Sequence, residues 1–228
     1  MVVGQAVARN RFDRMPTKKR SAFVVTLITV VTAVGCTLPP REAQLVARDL
    51  AAGSAPTEFK EITEAPSRRS ITFSGEEQSY RADLYVPGSA PQAGILLMPG
   101  AAEQGKDDPR LVNTARTLAR ARFLVLVPDI PSLRRLQVKP ANIQHVVDAI
   151  RYLGSGRDFP PPERTGAAAF SYAVGPVLIA ARRPDLADEM DFVVGVGGYY
   201  DLEAVLSFAT TGYYRYEGEW HYLEPNEY

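Results

Sequence analysis

The chain has one cysteine, two histidines and one tryptophan in 228 residues, and its 26 basic and 26 acidic side chains cancel. A single cysteine, Cys36, excludes an internal disulfide. The two histidines, His145 and His221, stand far apart, and nothing resembles a metal-ligand cluster, so no metal or cofactor is expected. The charge is unevenly spread. Residues 1–35 hold six bases and one acid, which leaves 20 bases against 25 acids in the remainder. No basic stripe is left to neutralise phosphates, and this excludes nucleic acid as a partner. The apolar run at 22–34 has 13 residues, whereas a spanning helix needs about 20. There are no internal repeats.

That short apolar run is preceded by Lys18-Lys19-Arg20 and ends in Ala33-Val34-Gly35-Cys36. A positive segment, a short apolar core and small residues read as a signal peptide. The last four residues resemble the bacterial lipobox, in which the cysteine is lipidated and becomes the first mature residue. Leucine is commoner than alanine at the place of Ala33. The resemblance implies lipidation at Cys36 and an extracytoplasmic protein held to a membrane of the bacterial envelope. Met15-Pro16-Thr17 followed by the three bases makes a compact positive segment, so the natural start is expected at Met15. An uncleaved signal anchor and a secretory signal cut elsewhere are the competing readings. Pro39-Pro40 suits an extended tether. The expected organisation is a signal peptide at 1–35, a lipidated tether with a short helix at 36–68, and a folded domain at 69–228.

Downstream, apolar strands alternate with amphipathic helices. Residues 41–52 are good helix formers, and 53–67 read as a loop. Residues 70–73 and 80–86, joined by a turn at Gly75, predict a hairpin. The runs at 93–98, 123–127, 165–170 and 191–196 are apolar enough for strands covered on both faces. Asp108-Pro109 pairs a capping aspartate with proline at the first helical position. Ile143, Val146, Val147, Ile150 and Leu153 recur at helical spacing. Asp201 is expected to cap a helix through Phe208. The class is α/β, with a mostly parallel central sheet flanked by helices.

Within that frame lies Ala169-Phe170-Ser171-Tyr172-Ala173, between a predicted strand and a predicted helix at 174–182. A serine at a sharp strand-to-helix corner is pushed out of the sheet edge, where its hydroxyl can attack a carbonyl. Such a corner is strained by about 1–3 kcal/mol and needs small flanking residues. The competing reading of Ser171 is an ordinary helix cap. With Met98-Pro99-Gly100-Ala101 after the third strand and Val127-Pro128-Asp129-Ile130-Pro131 after the fourth, the chain resembles the α/β-hydrolase superfamily, in its dienelactone-hydrolase and carboxylesterase branches. The resemblance covers 69–228. Pro99 stands where the family often has histidine, and Ala169 and Ala173 stand for the usual glycines.

The resemblance implies that Ser171 is a nucleophile and that the backbone N–H groups of Ala101 and Tyr172 form an oxyanion hole, each donor worth about 3 kcal/mol in the transition state. The substrate would be a small ester or related acyl compound. A serine also needs a base, and the base an orienting acid. In the family the acid and then the histidine follow the serine. His221 lies only fifty residues on, with no apolar strand before it, and reads as a surface-loop residue. His145 precedes the serine and reads as solvated on a helix, on one polar face with Asp148. Asp201 reads as a cap, and Asp129 and Glu103 fall in loops at the strands' carboxyl ends. No further strands are visible after residue 196. The chain is therefore expected to be truncated at its C-terminus, inactive by itself, and left with 191–196 as an open sheet edge. Two functions compete: a serine hydrolase when full-length, or a non-catalytic envelope lipoprotein with a binding or scaffold role.

Overall fold

The computed structural model describes residues 40–225 except 101, 136 and 138. The signal segment and Cys36 lie outside the described residues. The chain divides into two units, 1–44 and 45–228. Of the first, only the start of helix α1 (Arg41–Ala52) is described. The second unit carries everything below.

A six-stranded sheet forms its centre. Strands β1 (Ser67–Ser74) and β2 (Ser79–Val86) form the predicted hairpin. They are followed by β3 (Ala93–Met98), β4 (Phe123–Pro128), β5 (Thr165–Phe170) and β6 (Phe192–Val196). The spatial order is β1-β2-β4-β3-β5-β6. β1 and β2 are antiparallel to their neighbours, and β4, β3, β5 and β6 run parallel. The helices are α2 (Glu58–Ile62), α3 (Pro109–Arg120), α4 (Pro131–Arg134), α5 (Ala141–Gly154), α6 (Val174–Ala181) and α7 (Leu202–Thr211).

The two-residue period of a strand sends alternate side chains to opposite faces. Leu96 and Met98 of β3, Leu124 and Leu126 of β4, and Ala167 and Ala169 of β5 join one core with Val146, Val147, Ile150 and Leu153 of α5 and Val177 of α6. Their neighbours Ile95, Leu97, Val125 and Val127 join a second core with Leu111, Ala115 and Ala119 of α3. Because both faces are covered, all six residues of β3 are buried. Each large side chain so buried stabilises the fold by about 1.5–3 kcal/mol.

Four expectations are corrected. The stretch 53–67 is not all loop: Thr57 caps α2, its hydroxyl accepting from the Lys60 N–H at 3.2 Å. The folded unit begins at Leu45 rather than 69. Leu45 and Phe59 pack with Ala121, and Asp49, fully buried, accepts from Thr117 Oγ1 at 2.6 Å and pairs with Lys60 at 2.8 Å. A carboxylate that gathers α1, α2 and α3 in this way is not part of a free tether. Strands do follow residue 196, but β7 (Tyr213–Tyr216) and β8 (Glu219–Tyr222) make a separate two-stranded sheet. β6 is accordingly an outermost strand of the main sheet, with Val194 and Val196 about half exposed. Finally, His145 is half-buried rather than solvated.

Candidate active site

Strand β5 ends at Phe170 and the chain turns at once through a short 3-10 segment, Ser171–Ala173, into α6. Ser171 sits at that corner with φ +49°, one of three non-glycine residues with positive φ among those described. This is the left-handed region that L-residues enter only at a cost. The backbone is extended before it at Phe170 and helical after it at Ala173, so the chain changes direction at this corner. Ser171 is solvent-exposed, whereas Ala169 and Ala173 are buried. Larger flanking side chains would have to displace the core. The α6 cap position is Ala173, and Phe170 precedes the 3-10 segment without a side-chain capping bond. The helix-cap reading of Ser171 therefore does not hold.

Across from the corner runs the segment that follows β3. A β-carbon on Gly100 would lie 3.4 Å from the carbonyl oxygen of Phe170 and 3.5 Å from the β-carbon of Ser171. The parallel pairing of β3 with β5, Met98 opposite Ala169, brings the two strand ends level. Ala101 lies outside the described residues. Tyr172 is the second residue of the turn, and the N–H groups that open such a turn have no acceptor within it. The Tyr172 ring meets Tyr199, from the segment after β6, edge-on at 5.8 Å. Gly175 leaves room for that partner, since a β-carbon there would fall 2.4 Å from the Tyr199 hydroxyl.

Ser171 and Gly100 open on a cavity of about 390 Å³, with Pro99, Leu111 and Phe170 among its apolar lining and Asp108, Arg110 and Thr114 among its polar lining. Asp108 caps α3 by accepting the Arg110 N–H at 2.8 Å. Its hydrogen bonds from the Arg110 side chain hold the carboxyl below its ordinary value against the opposing effect of burial.

The far end of the lining segment is tied down by charge. Asp83 on β2 is fully buried and accepts from Lys106 Nζ at 2.8 Å, Arg68 Nε at 3.1 Å and Ser70 Oγ at 2.7 Å. Burial works to raise the Asp83 carboxyl, but these bonds outweigh it and hold it low. Lys106 belongs to a 3-10 turn, Gly105–Asp107, directly before the α3 cap. No sequence signal marked Lys106 or Asp83, because their pairing joins residues 23 positions apart.

The other sequence candidates fall elsewhere. Asp129 is buried in an ion pair with Arg81 at 3.0 Å and is absent from the cavity lining. Glu103 lines a separate depression with Pro131, Arg134 and Arg135, and its carbonyl accepts from Arg134 Nε at 2.9 Å. Asp201 caps α7, accepting the Ala204 N–H at 3.0 Å. His145 Nε2 meets Gln78 Nε2 at 3.1 Å and its ring packs edge-on to Tyr80. His221 is a β8 strand residue, not a loop residue, and stacks on Tyr214 at 5.4 Å. Neither histidine lines the cavity. Among the described residues, no group of three or more His, Cys, Asp or Glu is placed to hold a metal ion, and no helix is long and apolar enough to cross a membrane.

No family model matches the sequence, and no curated protein matches it. Solved structures do. A dienelactone hydrolase from Anabaena variabilis superposes with a TM-score of 0.51 and 22% identity over 62% of this chain and 68% of its own. Brefeldin A esterase, a bacterial homologue of human hormone-sensitive lipase, gives 0.53 and 16% over 79% and 53%. A thermostable carboxylesterase from a metagenomic library gives 0.51 and 14% over 78% and 62%. The chain thus spans between 53% and 68% of these proteins' own lengths. The likeness establishes the fold: a mostly parallel sheet flanked by helices, of the kind these α/β-hydrolases share.

Proposed function

We propose that this chain carries the nucleophile-bearing part of a serine hydrolase acting on a small ester or related acyl compound. The observation that carries the reading is the placement of Ser171: exposed, at φ +49°, between β5 and α6, and opening on a cavity. Its hydroxyl attacks the acyl carbon and the alcohol leaves. Water then releases the acid from the acyl-enzyme. In this reading the backbone N–H groups of Tyr172 and Ala101 stabilise the developing oxyanion. The proton of Ser171 goes to a base that neither His145 nor His221 supplies, since both are engaged elsewhere.

The test is to express the complete gene and treat the product with a fluorophosphonate probe. Labelling of the parent and none of Ser171→Ala supports the assignment. Equal labelling of both ends it.

The second reading, a non-catalytic envelope protein on the same fold, is favoured by one observation: both histidines of the chain lie off the cavity. Removing a triad member costs about 10⁴–10⁶ in rate. An unlabelled full-length parent would select this reading. In either case we place the protein in the bacterial envelope through lipidation at Cys36. Incorporation of labelled fatty acid that disappears in Cys36→Ser tests that placement.

A further inference from the structure

The cavity beside Ser171 has two charged lining residues, Asp108 and Arg110, and they are occupied with each other. Arg110 Nε donates to Asp108 Oδ1 at 3.1 Å and Nη2 donates to Oδ2 at 2.7 Å, so the two planar groups meet through parallel hydrogen bonds. A guanidinium fork is the usual receptor for a ligand carboxylate. Here that geometry is already filled from within the chain. A carboxylate entering the cavity would find only the outer N–H groups of Arg110, beside the negative charge of Asp108. The pair has no net charge, and Pro99, Leu111 and Phe170 offer apolar surface.

We propose that this cavity binds the uncharged, apolar part of an ester and discriminates against groups bearing a carboxylate, and that Asp108 is the residue that sets the preference. The inference deepens the hydrolase reading and rests on it only for the identity of the ligand as a substrate. The charge preference belongs to the cavity whether or not Ser171 reacts.

Asp108→Asn separates charge from fold, because asparagine caps a helix about as well as aspartate. The probes are hexanamide and hexanoate, alike in shape and different in charge at pH 7. Binding is followed through the backbone amide signals of Gly100, Ala102, Gly105 and Thr114 in the 228-residue chain. The Arg110 side chain is largely exposed, so the parent is expected to bind hexanamide more tightly than hexanoate by about two- to fivefold. Asp108→Asn should move the ratio toward hexanoate by a similar factor. Adding Arg110→Gln should remove that gain, which a purely structural role for Asp108 would not predict. Ser171→Ala should leave the ratio unchanged, so failure of the nucleophile assignment and failure of this inference are read separately. Hexanoate binding as well as hexanamide in the parent, hexanamide failing to bind, or an unmoved ratio in Asp108→Asn would each overturn the proposal.

Discussion

Gly100 and Ser171 follow the ends of two strands and stand 71 positions apart in the chain, yet a β-carbon on Gly100 would sit 3.5 Å from the β-carbon of Ser171. The contact is ordinary for one added methyl, and a larger side chain would enter the cavity that Gly100 and Ser171 both line. Gly100→Ala should therefore fold and react with a fluorophosphonate at a modestly reduced rate. Gly100→Val should label about 10²-fold more slowly, as expected when reacting groups are displaced by an ångström. Unfolding midpoints of both variants should stay near the parent's. Equal labelling rates in all three proteins would show that this approach is irrelevant to the chemistry.

The corner at Ser171 stores strain that a glycine would release. Ser171→Gly removes the β-carbon that φ +49° crowds, whereas Ser171→Ala keeps it. The left-handed penalty is about 1–2 kcal/mol, and the added freedom of an unfolded glycine offsets part of it. Denaturant titrations should find the glycine variant more stable than the alanine variant by about 1 kcal/mol, with both unreactive.

Asp83 anchors the cavity-lining segment through Lys106, and its removal should be felt as stability. Asp83→Asn removes the buried partner of Lys106 and Arg68 and leaves them only the more exposed Asp107. Breaking a buried pair costs about 3–5 kcal/mol, and Asp107 offsets part of that here. The carboxyl is held below its ordinary value in the folded chain. Its contribution is then full above the unfolded value of 3.8 and is lost as pH falls through the lower folded value. Acid titration of stability should be shallower in Asp83→Asn than in the parent.

His145 works in the opposite chemical sense but with the same pH direction. Burial pushes its imidazole below the ordinary value of 6.5, and the nearby Asp148 charge opposes this only in part. The unfolded chain takes up a proton near pH 6.5 while the folded one does not, so stability falls as pH drops from about 7 to 5. His145→Gln should lose less stability over that window. A parent whose unfolding free energy is flat there would contradict the placement of His145 against Tyr80 and Gln78.

At the sheet's edge, Val194 and Val196 present one exposed apolar face of β6. Native edges carry charge to prevent strand addition. Val194→Lys should reduce concentration-dependent self-association, measured by light scattering, with little change in unfolding midpoint.

The elements that propagate by local pattern were legible in the sequence. Runs such as 93–98 and 123–127 were apolar throughout because helices cover both faces, and Asp108-Pro109 and Asp201 announced helix starts that the structure contains. The short helix Glu58–Ile62 was not legible, because five residues are too few for a period to show. Neither was the pairing of Tyr213–Tyr216 with Glu219–Tyr222, whose polar strands lack a buried face. Ser171 could be singled out because the strain at a strand-to-helix corner demands small residues within two positions of it, and those are read locally. The lining of its cavity could not.

By itself, then, the order of residues determined the alternation of strands and helices and the corner where a serine stands exposed. Tertiary structure alone decided that Gly100 lies against that serine, that Asp83 holds Lys106, and that His145 is committed to Tyr80 and Gln78. The reason is physical. Periodicity and capping act within a few residues along the chain. Close approach and charge pairing depend on which strands lie side by side, and the order β4-β3-β5 is set by how the whole sheet buries its two faces.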